Sequence, residues 1–248
     1  MAALKPLIAG NWKMFGRQAD LGEIALLASR LGEAAKSIDV LICPAAPMVA
    51  VAAWRAKDTP ILIGAQDCSE IALDSARTGD VSAAMLADAG ARYVIVGHSE
   101  RRSLFGETDA IVRAKAEAAL TAGLTAIVCV GETQGERAAG RAGEVVGRQV
   151  RDSIPQTTGA FVIAYEPVWC IGGASTPEPG EIAQIHSLIR ETLAGRGAAT
   201  RILYGGSVNP KNAGEIFGAP GVDGALVGRA SLKADDFSAI ILAHPAAS

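Results

Sequence analysis

Eight short apolar runs follow one another along the chain, each ending in a polar or glycine-rich turn. They are Leu7–Trp12, Ile38–Cys43, Ile61–Ala65, Tyr93–Gly97, Ala126–Val130, Phe161–Tyr165, Ile202–Tyr204 and Gly224–Val227. Over 248 residues the repeat averages about 31 residues, the length of one strand–helix unit. Runs that are apolar throughout, rather than alternating, indicate strands covered on both faces, as in a parallel sheet under helices. The intervening segments carry apolar residues at helical spacing: Leu21-Ile24-Ala25-Ala28-Leu31, Val112-Ala116-Ala119-Leu120 and Ile182-Ile185-Leu188-Ile189. An aromatic fraction of only 4%, with much Ala, Val and Ile, suits thin helices packed closely on that sheet. No Pro/Ser-rich linker or charge run divides the chain, so residues 1–248 are expected to form one α/β domain. Its expected form is a closed (β/α)8 barrel, parallel strands inside and helices outside. A two-lobed α/β protein is the alternative, and the pattern lacks the interdomain crossover it would need.

The balance of 23 Lys+Arg against 26 Asp+Glu provides no broad basic surface for nucleic acid. The apolar runs are strand-sized, far short of the ~18–20 residues that span a bilayer. The opening Met1-Ala2-Ala3-Leu4-Lys5-Pro6 has no charged segment leading into an apolar one, so a cytoplasmic location is expected. Cys43, Cys68, Cys129 and Cys170 form no CxxC pair and are expected to be reduced, buried thiols. His98, His186 and His244 lack metal-ligand spacing, and neither a metal nor another cofactor is expected. His186 lies in a helical pattern, where a packed side chain is the ordinary reading.

In a parallel barrel the site lies at the carboxyl ends of the strands. There the sequence places Asn11-Trp12-Lys13, Gly97-His98-Ser99-Glu100, Cys129-Val130-Gly131-Glu132, Tyr165-Glu166-Pro167, Tyr204-Gly205-Gly206-Ser207 and Gly228-Arg229. Each has an ordinary reading: Lys13 as a solvated loop lysine, Glu166 as a rim carboxylate, His98 as a helix cap, Gly205-Gly206 as a tight turn. A barrel brings all of them to one face. A cation, an imidazole and a carboxylate then share a mouth with glycine-rich turns after strands 7 and 8, where backbone N–H groups bind phosphate. Asn212 and the turn Ser207-Val208-Asn209-Pro210 fit the short helix start such a site uses. Gly135 to Gly140 has P-loop spacing but is followed by Arg141-Ala142 instead of Lys-Ser/Thr, which disfavours a nucleotide enzyme.

Five segments resemble the signatures of the triosephosphate isomerase family, in its order and spacing across essentially the whole chain. They are Asn11-Trp12-Lys13-Met14, Val96-Gly97-His98-Ser99-Glu100-Arg101-Arg102, Cys129-Val130-Gly131-Glu132-Thr133, Ala164-Tyr165-Glu166-Pro167-Val168-Trp169 and Tyr204-Gly205-Gly206-Ser207-Val208. The resemblance implies a TIM barrel that interconverts glyceraldehyde 3-phosphate and dihydroxyacetone phosphate through an enediol(ate). It implies Glu166 as the base, a neutral His98 as the electrophile, Lys13 as the positive charge and Asn11 as an orienting group. Phosphate would be held by Asn11, Lys13, Gly172, Ser207, Gly228 and Arg229. Ser99, Glu100, Cys129 and Tyr204 would support the site. A lid from Pro167-Val168-Trp169 to Thr176-Pro177 would close over it, with Tyr204 and Ser207 as latches. A homodimer is also implied, formed through the loop that carries Thr78, which would reach toward Asn11 and Lys13 of the partner subunit.

Four places, five residues in all, depart from the commonest family pattern: Phe15 for Asn, Cys170 for Ala, Ala174-Ser175 for Gly-Lys, and Arg229 for a second Gly. Phe15 is expected to be buried against a partner subunit, Cys170 to be a small apolar filler, and the Arg229 side chain to point outward. Two other functions fit the same residues. One is an isomerase of a four-carbon sugar phosphate; the other is a non-catalytic phospholigand-binding barrel, which would have no use for a base.

Overall fold

A computed structural model describes residues 4–156, 159–172 and 176–247. The strands are β1 (Leu7–Asn11), β2 (Asp39–Cys43), β3 (Ile61–Ala65), β4 (Tyr93–Val96), β5 (Thr125–Val130), β6 (Phe161–Tyr165), β7 (Arg201–Tyr204) and β8 (Gly224–Val227). They close into a barrel in sequence order, and every pairing is parallel, including the closure of β1 on β8. The barrel expected from the eight apolar runs is therefore the fold of the chain. The two-lobed alternative is excluded.

Strand limits differ from the apolar runs by one residue in several places, and at two of them the local cause is plain. Ile38 caps the C-terminus of the short helix Ala34–Ser37, so β2 starts at Asp39. Gly97, at φ +66°, turns the chain out of β4 one residue earlier than the run suggests. The helical patterns become Gly22–Leu31, Asp109–Thr121 and Pro179–Thr192.

Because strand side chains alternate, the barrel has two cores. Leu7, Ala9, Leu41, Cys43, Ile95, Ile127, Cys129, Val162, Ala164, Leu203 and Leu226 point inward and fill the interior. Ile8, Val40, Ile42, Val94, Val96, Val128, Ile163 and Ile202 point outward against the helices. Both faces are dry, which is why each strand reads as an unbroken apolar run. All four cysteines are free and buried. Among the described residues no helix is long and apolar enough to cross a membrane.

The inward rows end differently at the two rims. At the amino ends of the strands, Arg201 crosses the floor: its Nη1 donates to Asp39 Oδ2 at 2.8 Å and its Nη2 to the Tyr93 hydroxyl at 2.8 Å. β7, β2 and β4 are not sheet neighbours, so this one guanidinium ties the floor together. Lys5 pairs with the other Asp39 oxygen at 2.9 Å. At the carboxyl ends, the next inward positions after Ala9, Ala164, Leu203 and Leu226 are Asn11, Glu166, Gly205 and Gly228. The same two-residue period that packs the core thus delivers polar groups and glycines to the mouth.

Candidate active site

The mouth is a cavity of about 650 Å³ whose lining includes Asn11, Lys13, His98, Glu100, Glu166, Gly172, Ser207, Gly228 and Arg229. Glu166, only 2% exposed, lies at its base. Glu166 Oε1 faces His98 Nε2 at 3.0 Å, and Oε2 accepts a hydrogen bond from the Ser99 N–H at 2.9 Å. Glycines make the seat possible. A Cβ on Gly205 would come within 2.8 Å of Glu166 Cγ, and one on Gly131 would come within 1.7 Å of the Glu166 carbonyl oxygen. Neither position admits a side chain.

His98 is the N-cap of the helix Ser99–Phe105, and its Nδ1 accepts from the Glu100 N–H at 3.2 Å. The capping reading and the chemical reading of this histidine therefore describe one arrangement. An Nδ1 that accepts from an amide carries no proton, so the proton of the neutral ring sits on Nε2, facing Glu166. Burial and Lys13 both favour that neutral ring. The Glu166 carboxylate outweighs them and raises His98 above an ordinary histidine while the two face each other. Glu166 shows the reverse balance. Burial raises it, but His98, the Ser99 amide and Lys13 together hold it below an ordinary carboxylate.

Lys13 follows β1 in a left-handed conformation, φ 52°, which a side-chain-bearing residue adopts at a cost of about 1–2 kcal/mol. Neighbours hold it there. Its N–H donates to Asn11 Oδ1 at 3.0 Å, and its carbonyl accepts from Gln66 Nε2 at 2.9 Å. The ammonium then meets Glu100 Oε1 at 2.5 Å, and Glu100 Oε2 lies 3.5 Å from His98 Nδ1. Glu100 thus serves both groups: its carboxylate pairs with the cation, and its N–H donates to the imidazole. Cys129 is fully buried beside Glu166; burial raises its thiol well above the usual range, and the Glu166 charge adds to this.

The glycine-rich turns after β7 and β8 complete the lining. Asn212 closes the first, its Oδ1 accepting from the Asn209 N–H at 2.8 Å and its Nδ2 donating to the Ser207 carbonyl at 2.9 Å. After β8, Ser231 bonds back to the Gly228 carbonyl through both its N–H and its hydroxyl. Gly172, at φ +72°, ends the described stem that follows β6. Ala174 and Ser175 lie outside the described residues. Cys170 is buried in that stem, its thiol 3.1 Å from the Pro167 carbonyl and 3.8 Å from the Tyr204 hydroxyl, and burial lifts it to about 11. Arg229 is exposed at the cavity edge.

Two residues that sequence reasoning left without a role also shape the site. Gln66 ties the β1 turn to β2, its Nε2 donating to the Cys43 carbonyl at 2.9 Å as well as to Lys13. Glu132, fully buried, accepts at Oε1 from the Trp169 indole at 2.9 Å and the Tyr165 hydroxyl at 3.2 Å, while Arg137 stacks on the Trp169 ring. Its place in a strand-end motif was the available signal, but a carboxylate there reads as easily as a solvated rim group.

A carboxylate, an imidazole and a cation around one cavity lined by glycine-rich turns can together move a proton next to a carbonyl. Residues 6–244 match the family model described as Triosephosphate isomerase. The chain belongs to the triosephosphate isomerase family. A protein named triosephosphate isomerase from Afipia carboxidovorans is 56% identical over 248 residues, covering 98% of each chain. One of the same name from Ruegeria is 54% identical over 245 residues, covering 96% of this chain and 98% of the relative. Among solved structures, that of triosephosphate isomerase from Bartonella henselae superposes with a TM-score of 0.89 at 43% identity, covering 97% of this chain and 99% of that one.

Proposed function

We propose that Glu166, His98, Lys13 and Asn11 carry out the family's reaction in this chain. It interconverts D-glyceraldehyde 3-phosphate and dihydroxyacetone phosphate, a step shared by glycolysis and gluconeogenesis. The observation that carries the assignment is the contact of Glu166 Oε1 with His98 Nε2 at 3.0 Å on the floor of the polar cavity. A substrate whose carbonyl and hydroxyl enter between these two groups separates them. Glu166 then loses the imidazole that depresses it, and burial, the largest influence on it, raises it toward the range of a base working near neutral pH. His98, relieved of the carboxylate, reverts to the neutral ring that burial favours. Its Nε2–H, freed from Glu166, donates to the carbonyl oxygen and stabilises the enediolate, and Lys13 adds charge.

Gly172, Ser207, Gly228 and Arg229 hold the phosphate, chiefly through the backbone. The lid that starts at Pro167 closes over the enediolate, keeping water from it, with Tyr204 and Ser207 as latches. A coupled triose-phosphate assay run beside a tetrose phosphate tests the substrate, and a large preference for the tetrose overturns it.

The working form is a homodimer in the cytoplasm. Met14 and Phe15 are 94% and 51% exposed beside the catalytic lysine, and Leu73, Met85 and Phe105 are also exposed. The loop carrying Thr78 is pinned at its base, where Ser69 N–H donates to the Val81 carbonyl at 2.8 Å and Arg77 pairs with Glu70 at 2.6 Å. Such an ordered, exposed loop beside apolar side chains fits docking onto a second copy. Dilution with activity and mass followed together tests this: full activity in a genuine monomer refutes it.

A further inference from the structure

The base sits against one piece of backbone, and that backbone has lost its natural partner. Val130 accepts from the Glu166 N–H at 2.7 Å, and the Glu132 carbonyl accepts from the Val168 N–H at 3.0 Å. These bonds hold the end of β5 to the chain of the base. In a parallel ladder the residue between them, Gly131, directs its own N–H and C=O to the other side, toward β4. The register pairs Val96 with Val128, so Ser99 would stand opposite Gly131. By then β4 has ended, and Ser99 opens a helix and gives its N–H to Glu166.

A side chain fills the vacancy. Gln149, on the helix Ala142–Ser153 and only 8% exposed, accepts the Gly131 N–H at Oε1 (2.7 Å) and donates from Nε2 to the Gly131 carbonyl (3.2 Å). Its amide reproduces both bonds a neighbouring peptide would make. Gly131 touches Glu166 main chain to main chain, so any shift of Gly131 moves the base. A cavity of about 210 Å³ borders Gly131, Gln149, Glu166 and Val168, which gives a released segment room to move.

We propose that Gln149 is a positioning residue for the reaction: its amide replaces the missing strand neighbour of Gly131 and so fixes the backbone seat of Glu166. The inference rests on Glu166 being the base. Gln149→Met keeps the volume and removes both bonds; Gln149→Glu keeps the acceptor and removes the donor. A displacement of the base by an ångström costs on the order of 100-fold, so Gln149→Met is expected to lower kcat/KM by about 10- to 100-fold, and Gln149→Glu by less. The decisive readout is the isotope effect with glyceraldehyde 3-phosphate deuterated at C2. It should rise in Gln149→Met as proton abstraction becomes limiting, while inhibition by inorganic phosphate stays within about two-fold of the parent. An isotope effect equal to the parent's, or a loss of phosphate affinity in step with kcat, overturns the proposal. Glu166→Asp is run alongside. If it leaves turnover unchanged, the base assignment fails and the inference with it; if it slows turnover while Gln149→Met leaves the isotope effect alone, only the inference fails.

Discussion

The two rims of the barrel are built from the same strands, yet they treat charge in opposite ways. At the amino-end floor, Arg201, Asp39, Tyr93 and Lys5 satisfy one another at 2.8–2.9 Å. At the carboxyl-end mouth, Glu166, His98, Lys13 and Glu100 pair across a cavity that lets a substrate come between them. The first arrangement is closed and contributes to stability. The second is poised, holding its members in pairings that a ligand can exchange. The difference shows that ionisable groups in a barrel are sorted by which end of a strand they occupy, more than by residue type.

Substitutions at the two rims should therefore separate activity from stability. The largest effect is expected for Glu166→Gln, which removes the proposed base and should lower kcat by about 1,000-fold or more with the melting temperature kept or raised. Steady-state assays and thermal melts check both halves, and a kcat within ten-fold of the parent breaks the contrast. His98→Gln should follow, at about 100- to 1,000-fold in kcat, the usual cost of losing a donor to a developing oxyanion.

An intermediate effect belongs to neither rim. His186 is fully buried against the Tyr165 ring and the Gly221 carbonyl, and burial lowers it to about 4. The unfolded chain binds this proton near pH 6.5 and the folded one only near pH 4, so stability falls as pH drops through that window. The loss approaches ~3 kcal/mol at the acid end. Denaturant titrations between pH 7 and 4 should show that slope, flattened in His186→Leu; an equally steep variant removes His186 from the account.

On the floor, Arg201→Met should cost about 2 kcal/mol of stability by breaking a half-buried pair, while kcat stays at the parent value. A fall in kcat without a fall in stability would erase the distinction between the rims. The smallest effect is expected for Arg229→Gly: the exposed side chain at the cavity edge should change KM by less than about three-fold.

The barrel was legible because its cause is local: a strand buried on both faces must be apolar at every position, and eight such runs leave little choice of closure. Asn11, His98 and Glu166 were legible for a related reason, each lying within a few residues of a run that sets its direction. Gln149 was not. It reaches Gly131 from 18 residues away, on a helix face where an amide ordinarily meets water. Lys115 is similar: it stands outside the apolar spacing Val112-Ala116-Ala119-Leu120 of its helix, yet it is buried between Asp67 and Glu107 at 2.7 and 2.6 Å. Polar residues that earn burial through distant partners leave no periodic trace.

The inward rows carry a consequence for how such a chain can change length. Asn11, Glu166, Gly205 and Gly228 reach the mouth because they stand in phase with Ala9, Ala164, Leu203 and Leu226. Deleting one residue within β6 would put Pro167 where the carboxylate belongs and turn half the strand's core side chains toward the wrong layer. An insertion in an outer loop does neither. The strands thus act as a reading frame for the chemistry, and the loops around them are free to drift in length while that frame is kept.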